Sequence, residues 1–129
     1  MLKTVAETPQ YKLEVNLLKN RAYLTIIGFW RGRDEVSTYL DDWSKALTSL
    51  KPGFTLLTDT RSMKIHPADV RALHERAQQM VTEAGVKAVA EIQENGAAKL
   101  QLESLSQETK MPKNSFDSGE LAEEWLDNQ

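Results

Sequence analysis

The spacing of apolar residues changes repeatedly along this chain, and this change constrains the fold more than any single motif does. Between residues 11 and 27, apolar side chains such as Leu13 and Val15 alternate with polar ones such as Lys12 and Glu14. A period of two is typical of a half-buried strand. From Val36 to Leu50 the apolar residues recur every third or fourth position instead, which is the period of an amphipathic helix. Since such strand and helix patterns alternate along the chain, an α/β domain is predicted.

The predicted element order is ββαβαβα(β)α. Turn, cap and stop residues mark the boundaries of these elements. The first half contains a hairpin over "YKLEVNLLKNRAYLTIIGFW" that turns at Lys19-Asn20, a helix from Asp34 to Pro52-Gly53, a strand "FTLLTD", and a helix "PADVRALHERAQQMVTEAG" with Gly85 as its C-cap. The second half contains a strand "VKAVAEIQ", a helix from Asn95, a brief strand around Phe116, and a last helix that is capped by Asp117 or Ser118 and buries Leu121, Ala122, Trp125 and Leu126.

These elements predict one domain over residues 1–129 with a mixed sheet of about five strands. Strands that a helix separates are expected to be parallel neighbours, and the opening hairpin adds an antiparallel part. Lys12, Glu14, Lys87 and Glu91 place charge on one side of two strands. Because sheets covered on both faces have strands that are apolar throughout, we expect helices mainly on one face.

The composition excludes several classes of protein. The chain has 129 residues, a net charge of −3 and no cysteine. Without cysteine there can be no disulfide, thiolate nucleophile or cysteine-ligated zinc. The scattered cations do not form the basic patch that nucleic-acid binding needs, and neither a membrane span nor a signal sequence is found. We therefore expect a soluble, cytoplasmic protein without a metal or other cofactor.

The most promising place for function is the edge of the sheet where the parallel strands end, because open α/β sheets bind their ligands there. The residues predicted to bind a ligand or partner at or near this edge are Phe29, Trp30, Arg31, Asp59, Thr60, Arg61, Ser62 and Asp69. Phe29 and Trp30 beside Arg31 could hold an amphiphile with an acidic head. The same two aromatic residues would fit a place in the core equally well.

Catalysis by this region has little support in the sequence. Ser62, His66 and Asp69 could act as nucleophile, base and orienting acid, but no Gly-x-Ser-x-Gly elbow exposes the serine. His66 and His74 are eight positions apart, which matches no metal-ligand spacing. The sequence therefore predicts a polar loop before a helix that starts at a proline, with no enzymatic activity.

Two stretches, "TLLTDTRS" and "SFDSGELAEEWL", together with the element order, resemble the STAS domains and especially their SpoIIAA-like branch. This branch is sometimes grouped with lipid-binding SEC14-type (CRAL-TRIO-like) domains. The C-terminal stretch carries the resemblance best, through Phe116, Asp117, Ser118, Glu120, Ala122, Trp125 and Leu126.

The resemblance implies a protein-interaction switch in bacterial signalling. Some members of the family are controlled by phosphorylation of a serine at the start of the helix that follows the third strand. Asp59 matches the aspartate that ends this strand, but the chain has Pro67, Ala68 and Asp69 where the family has its acceptor serine. Asp69 would instead supply a fixed negative charge at the start of the helix.

Two functions remain as hypotheses. The first is a regulatory or protein-interaction domain, and the second is a carrier or sensor of a small apolar or lipid-like ligand at the carboxyl ends of the strands. We also predict a weak homodimer or a partner site on the sheet face or its hairpin edge. This prediction assumes that Tyr23, Ile27 and Val89 lie on the same face as the charged residues.

Overall fold

The computed structural model describes residues 2–64, 66–93 and 113–129. The strands are β1 Leu2–Glu7, β2 Tyr11–Asn16, β3 Arg21–Gly28, β4 Thr55–Met63, β5 Ala88–Ile92 and β6 Lys113–Phe116. The helices are α1 Tyr39–Ser49, α2 Ala68–Glu83 and α3 Gly119–Asp127, and a short 3-10 turn at Arg33–Val36 precedes α1. The helix predicted from Asn95 lies outside the described residues.

The six described strands form one sheet in the order β1-β2-β3-β4-β5-β6. β1, β2 and β3 pair antiparallel, whereas β3 to β6 are parallel neighbours. The mixed sheet and its antiparallel hairpin confirm the predicted architecture. The hairpin turn contains Asn20 in the left-handed region, with a φ of 52°, as an asparagine turn permits.

The main core lies between the sheet and helices α1 and α2. It contains inward-facing residues of β2 to β5 and the aromatic residues Trp30, Tyr39, Trp43 and Phe54. Helix α2 ends where expected: Gly85 follows it with a φ of 93°, a conformation that glycine adopts without strain. Helix α1 differs from the prediction, because Asp34 lies in the 3-10 turn and the helix begins only at Tyr39.

Helix α3 packs on the opposite face of the sheet, against a smaller apolar cluster. Ala122 and Leu126 of α3 contact residues of β4 and β5 such as Leu57 and Ala90. Two of the three described helices thus share one face, in agreement with the predicted layering. None of the described helices combines the length and the apolar character that crossing a bilayer requires.

The structure contradicts three predictions about which side chains are exposed and which are buried. Glu91 is 2% exposed and lies 3.5 Å from Lys113 Nζ, because the parallel pairing of β6 with β5 brings this lysine alongside. Val89 packs in the main core, so it does not share the open face with Tyr23, which lies under α3. Leu121, predicted to be buried, is 53% exposed on the outer side of α3.

Candidate functional site

The carboxyl ends of β3 and β4 lie side by side and form one edge of the sheet. Their register shifts between Thr25 and Ile27, so that Thr25 pairs with Asp59 and Ile27 with Ser62. This leaves two residues of β4, Thr60 and Arg61, opposite a single residue of β3. Such a bulge redirects side chains locally, and bulges are frequent beside functional sites.

Asp59 and Arg61 form a two-pronged ion pair on this bulge. Arg61 Nε lies 3.1 Å from Asp59 Oδ1, and Arg61 Nη2 lies 2.8 Å from Asp59 Oδ2. The backbone N–H of Arg61 also donates to Asp59 Oδ1. Partial burial raises the pKa of Asp59, but these hydrogen bonds outweigh it and hold the pKa below its ordinary value. The aspartate therefore fixes the direction of the arginine side chain.

The side chains of Thr60 and Trp30 are both buried and are not available to a ligand at this edge. Thr60 is 1% exposed, and its hydroxyl donates to the carbonyl oxygen of Ile92 across the sheet at 2.9 Å. Trp30 is fully buried, and its indole N–H donates to the carbonyl oxygen of Gln10 at 3.0 Å. Phe29 is 52% exposed, so the two neighbouring aromatic residues do not form a joint apolar surface.

Trp30 lies against a stacked pair of histidines that the sequence did not reveal. The ring centroids of Trp30 and His66 are 5.0 Å apart, and those of His66 and His74 are also 5.0 Å apart with planes only 15° from parallel. His66 Nδ1 and His74 Nε2 are 2.8 Å apart. His66 precedes α2 and His74 lies within it, so the pair joins the start of the helix to its second turn.

The hydrogen bonds of the histidine pair fix its protons. His66 Nε2 lies 3.0 Å from the carbonyl oxygen of Gly28, which can only accept, so this nitrogen carries a proton. In the neutral pair, His66 Nδ1 then accepts from His74 Nε2. Burial, with a smaller contribution from the neighbouring His66, lowers the pKa of His74 to about 3. Burial also lowers the pKa of His66, although its hydrogen bond to Gly28 opposes this.

These contacts do not assemble Ser62, His66 and Asp69 into a catalytic triad. Both ring nitrogens of His66 are engaged, with Gly28 and His74. Asp69 Oδ2 accepts instead from the backbone N–H of Arg33 at 3.3 Å, which ties the start of α2 to the loop after β3. Among the described residues no group of three or more histidine, aspartate or glutamate side chains could hold a metal ion.

What remains accessible at this edge is a mixed apolar and polar surface. Ile27 and Phe29 of the β3 end are 39% and 52% exposed, and Arg61 and Ser62 beside them on β4 are exposed as well. We call these four residues the carboxyl-edge surface. The sequence placed three of them at this edge, whereas it put Ile27 on the open sheet face, since alternation gives no sign of the bulge that sets it beside Ser62.

A cavity inside the main core is too small for a ligand of the predicted kind. It lies between β3–β5 and helices α1 and α2, next to Trp43, His74 and Glu91, and its volume is about 30 Å³. That is room for one or two waters, whereas ligand pockets measure roughly 300 to 1,000 Å³. This cavity lends no support to a lipid-like ligand.

Comparison with solved structures identifies proteins that have a similar fold. No protein-family model matches the chain, and no curated protein matches it either. Among solved structures, an uncharacterised DUF3478-family protein from Shewanella loihica PV-4 with a SpoIIAA-like fold aligns with a TM-score of 0.70 at 13% identity, covering 94% of this chain and 97% of that one. SiaC of Pseudomonas aeruginosa aligns with a TM-score of 0.50 at 12% identity, covering 90% and 99%. The chain therefore has a SpoIIAA-like fold.

Proposed function

We propose that this protein is a non-enzymatic regulatory domain that binds a partner protein through its carboxyl-edge surface. The observation that carries this proposal is the exposure of Ile27 and Phe29 beside Arg61 at the end of the sheet where α/β folds place their binding sites. Aromatic residues and arginine are enriched at protein interfaces. The SpoIIAA-like fold supports the regulatory part, since interaction switches of bacterial signalling share it.

The polar side chains of the edge also support binding over chemistry. Asp59 is occupied by Arg61, and His66 is occupied by His74 and Gly28, so neither is poised to activate Ser62. An exposed arginine whose direction is fixed by a half-buried aspartate is well suited to a carboxylate or phosphate on a partner. Because phosphate and carboxylate share this chemistry, the partner can offer either group.

A site-specific photo-crosslinker tests the proposal directly. We would replace Phe29 with a benzophenone-bearing amino acid and irradiate the protein in an extract of its own cells. The matched control carries the same amino acid at Leu18, which is 91% exposed at the opposite end of β3. We expect a discrete covalent adduct with one protein from position 29 and not from position 18. Equal adducts from both positions, or none from either, would contradict the proposal.

A further inference from the structure

A second surface, two strands along the sheet from β4, lies on the outer side of α3. Phe116 of β6 packs against Trp125 of α3 with ring centroids 5.6 Å apart. These two residues and Leu121 line a groove of about 350 Å³, with Glu124 and Asn128 at its margin. We call it the α3 groove. Leu121 and Trp125 are four residues apart, so they form a continuous apolar ridge along the helix.

The groove is bordered by carboxylates that pair with no described cation. Helix α3 contains Glu120, Glu123, Glu124 and Asp127 but no lysine or arginine. Glu123 and Asp127 face the sheet and pair with Arg21 and Lys19. Glu120 and Glu124, in contrast, form no ion pair with any described residue, and both are exposed.

Two features of these glutamates disfavour their combined charge in the absence of a partner, although the start of the helix favours Glu120 itself. Glu120 and Glu124 are like charges four residues apart, a spacing at which like charges weakly destabilise a helix. Glu124 also lies near the carboxyl end of α3, where the helix dipole disfavours negative charge. A cationic partner would relieve both costs.

The edge of β6 argues against one way of filling the groove. An extended peptide would add a strand to this edge by pairing with free backbone groups. The N–H of Ser115, however, already donates to the side-chain oxygen of Asn114 at 2.9 Å. The strand is also only four residues long, and short edge strands resist such pairing. A helical partner that offers side chains fits the groove better.

We propose that the α3 groove binds an amphipathic helix of a partner protein, with apolar side chains against Leu121 and Trp125 and lysine or arginine beside Glu120 and Glu124. This surface goes beyond the proposed function, because it is formed by β6 and α3 and not by β3 and β4, and because it selects for a partner of the opposite charge. Helix-in-groove recognition uses apolar anchors with spacings of three and four residues, and the ridge on α3 offers the matching partner positions.

The experiment uses Trp125 as a built-in reporter. The other two tryptophans, Trp30 and Trp43, are buried, so a partner that enters the groove should shift mainly the Trp125 emission. The probe is an amphipathic leucine–lysine peptide of about 18 residues, long enough to be helical in water. A leucine–glutamate peptide of the same pattern and a lysine–serine peptide without apolar residues serve as controls.

We expect the leucine–lysine peptide alone to shift the emission to the blue, with a dissociation constant in the micromolar range. Charge reversal by Glu120→Lys and Glu124→Lys should weaken binding about tenfold or more, as should Leu121→Gln. The matched charge reversal Glu83→Lys on α2, also at an exposed residue, should leave binding unchanged.

Several results would overturn this proposal. They are equal binding of the leucine–glutamate or lysine–serine peptide, binding that survives Leu121→Gln, and the absence of binding to the leucine–lysine peptide. Burial of Trp125 in a concentration-dependent dimer would assign the groove to a second copy of the chain. A failure here leaves the crosslink from Phe29 unaffected, so the two proposals are tested separately.

Discussion

His66 and His74 are residues that link stability to pH in mildly acidic solution. The pKa of both histidines is lowered in the folded state, that of His74 to about 3, whereas an unfolded chain has a histidine pKa near 6.5. The unfolded state therefore binds more protons below about pH 6.5. The histidines' contribution to stability is complete above this pH and is lost progressively as the pH falls toward the native pKa.

We expect the free energy of unfolding to fall by about 2 kcal/mol between pH 7 and pH 5 for His74 alone, since each pH unit corresponds to about 1.4 kcal/mol. Urea denaturation at both pH values measures this loss. The control is His74→Gln, which should be less stable at pH 7 but should depend less on pH. These are the only two histidines in the chain, so a slope unchanged by the substitution would contradict the assignment.

Arg21 is the residue that most directly holds α3 to the sheet. Its side chain is 4% exposed; it donates to Thr55 at 2.8 Å and pairs with Glu123 and with Asp127 at 3.0 Å. Arg21→Met keeps the apolar stem but removes the cation from Thr55, Glu123 and Asp127, and only the more exposed Lys19 remains beside the two carboxylates. We expect a loss of about 1 to 3 kcal/mol, reduced from a fully buried pair because both carboxylates reach solvent.

Lys19 provides the control for Arg21, because it lies 3.5 Å and 3.4 Å from the same two carboxylates but its side chain is 43% exposed. Lys19→Met should change stability by less than about 0.5 kcal/mol. Hydrogen exchange should show α3 opening more often in the Arg21 variant only. Equal exchange of α3 in the two variants would mean that Arg21 is not the main attachment.

At the scale of elements, the start of α3 depends on one hydroxyl. The sequence left Asp117 and Ser118 open as the cap, and the structure selects Ser118, whose hydroxyl accepts from the N–H of Leu121 at 3.3 Å. Ser118→Ala should therefore cost about 1 kcal/mol in chemical denaturation. Asp117→Ala should lower the free energy of unfolding by clearly less. If Asp117→Ala were the more destabilising of the two substitutions, Asp117 and not Ser118 would be the cap.

The elements that the sequence revealed are those with one clearly buried side. Strands β2 and β3 and helix α2 each bury a regular set of positions, so periodicity was sufficient to find them. Strand β1 is not predicted by the sequence. It is an edge strand whose residues are all exposed or half-buried, so its apolar residues show no regular period. Strand β4 was predicted to end at Asp59, yet it continues to Met63 through the polar residues of its bulge.

The residues at the carboxyl edge of the sheet were predictable from the sequence only in part, because some of their contacts join elements that are distant along the chain. The rule that function lies at the carboxyl ends of parallel strands located Phe29, Asp59, Arg61 and Ser62 from the element order alone. The burial of Trp30 against the two histidines depends on contacts between a strand end, a loop and a helix. No spacing in the sequence reports such contacts.

At the scale of the whole molecule, the two ends of the parallel strands differ in chemistry. The carboxyl end presents Ile27 and Phe29 with Arg61, whereas the hairpin turn at the amino end presents Leu17 and Leu18, which are 55% and 91% exposed. Leu17 and Leu18 line a groove together with Leu2. Exposed apolar residues are common on protein surfaces, so exposure alone does not identify a binding site. The weak homodimer expected on the sheet face or hairpin edge stays a prediction, which light scattering of the purified protein would measure.

The measurement that tests the central claim most directly compares these two ends in one experiment. The purified protein is immobilised and incubated with an extract of its own cells, and the retained proteins are quantified by mass spectrometry. One variant carries Ile27→Thr and Phe29→Ser, and the matched control carries Leu17→Ser and Leu18→Ser. We predict a protein that the unchanged chain and the control retain and that the Ile27/Phe29 variant loses. Retention by both variants, or loss from the control alone, would contradict a partner site at the carboxyl edge of the sheet.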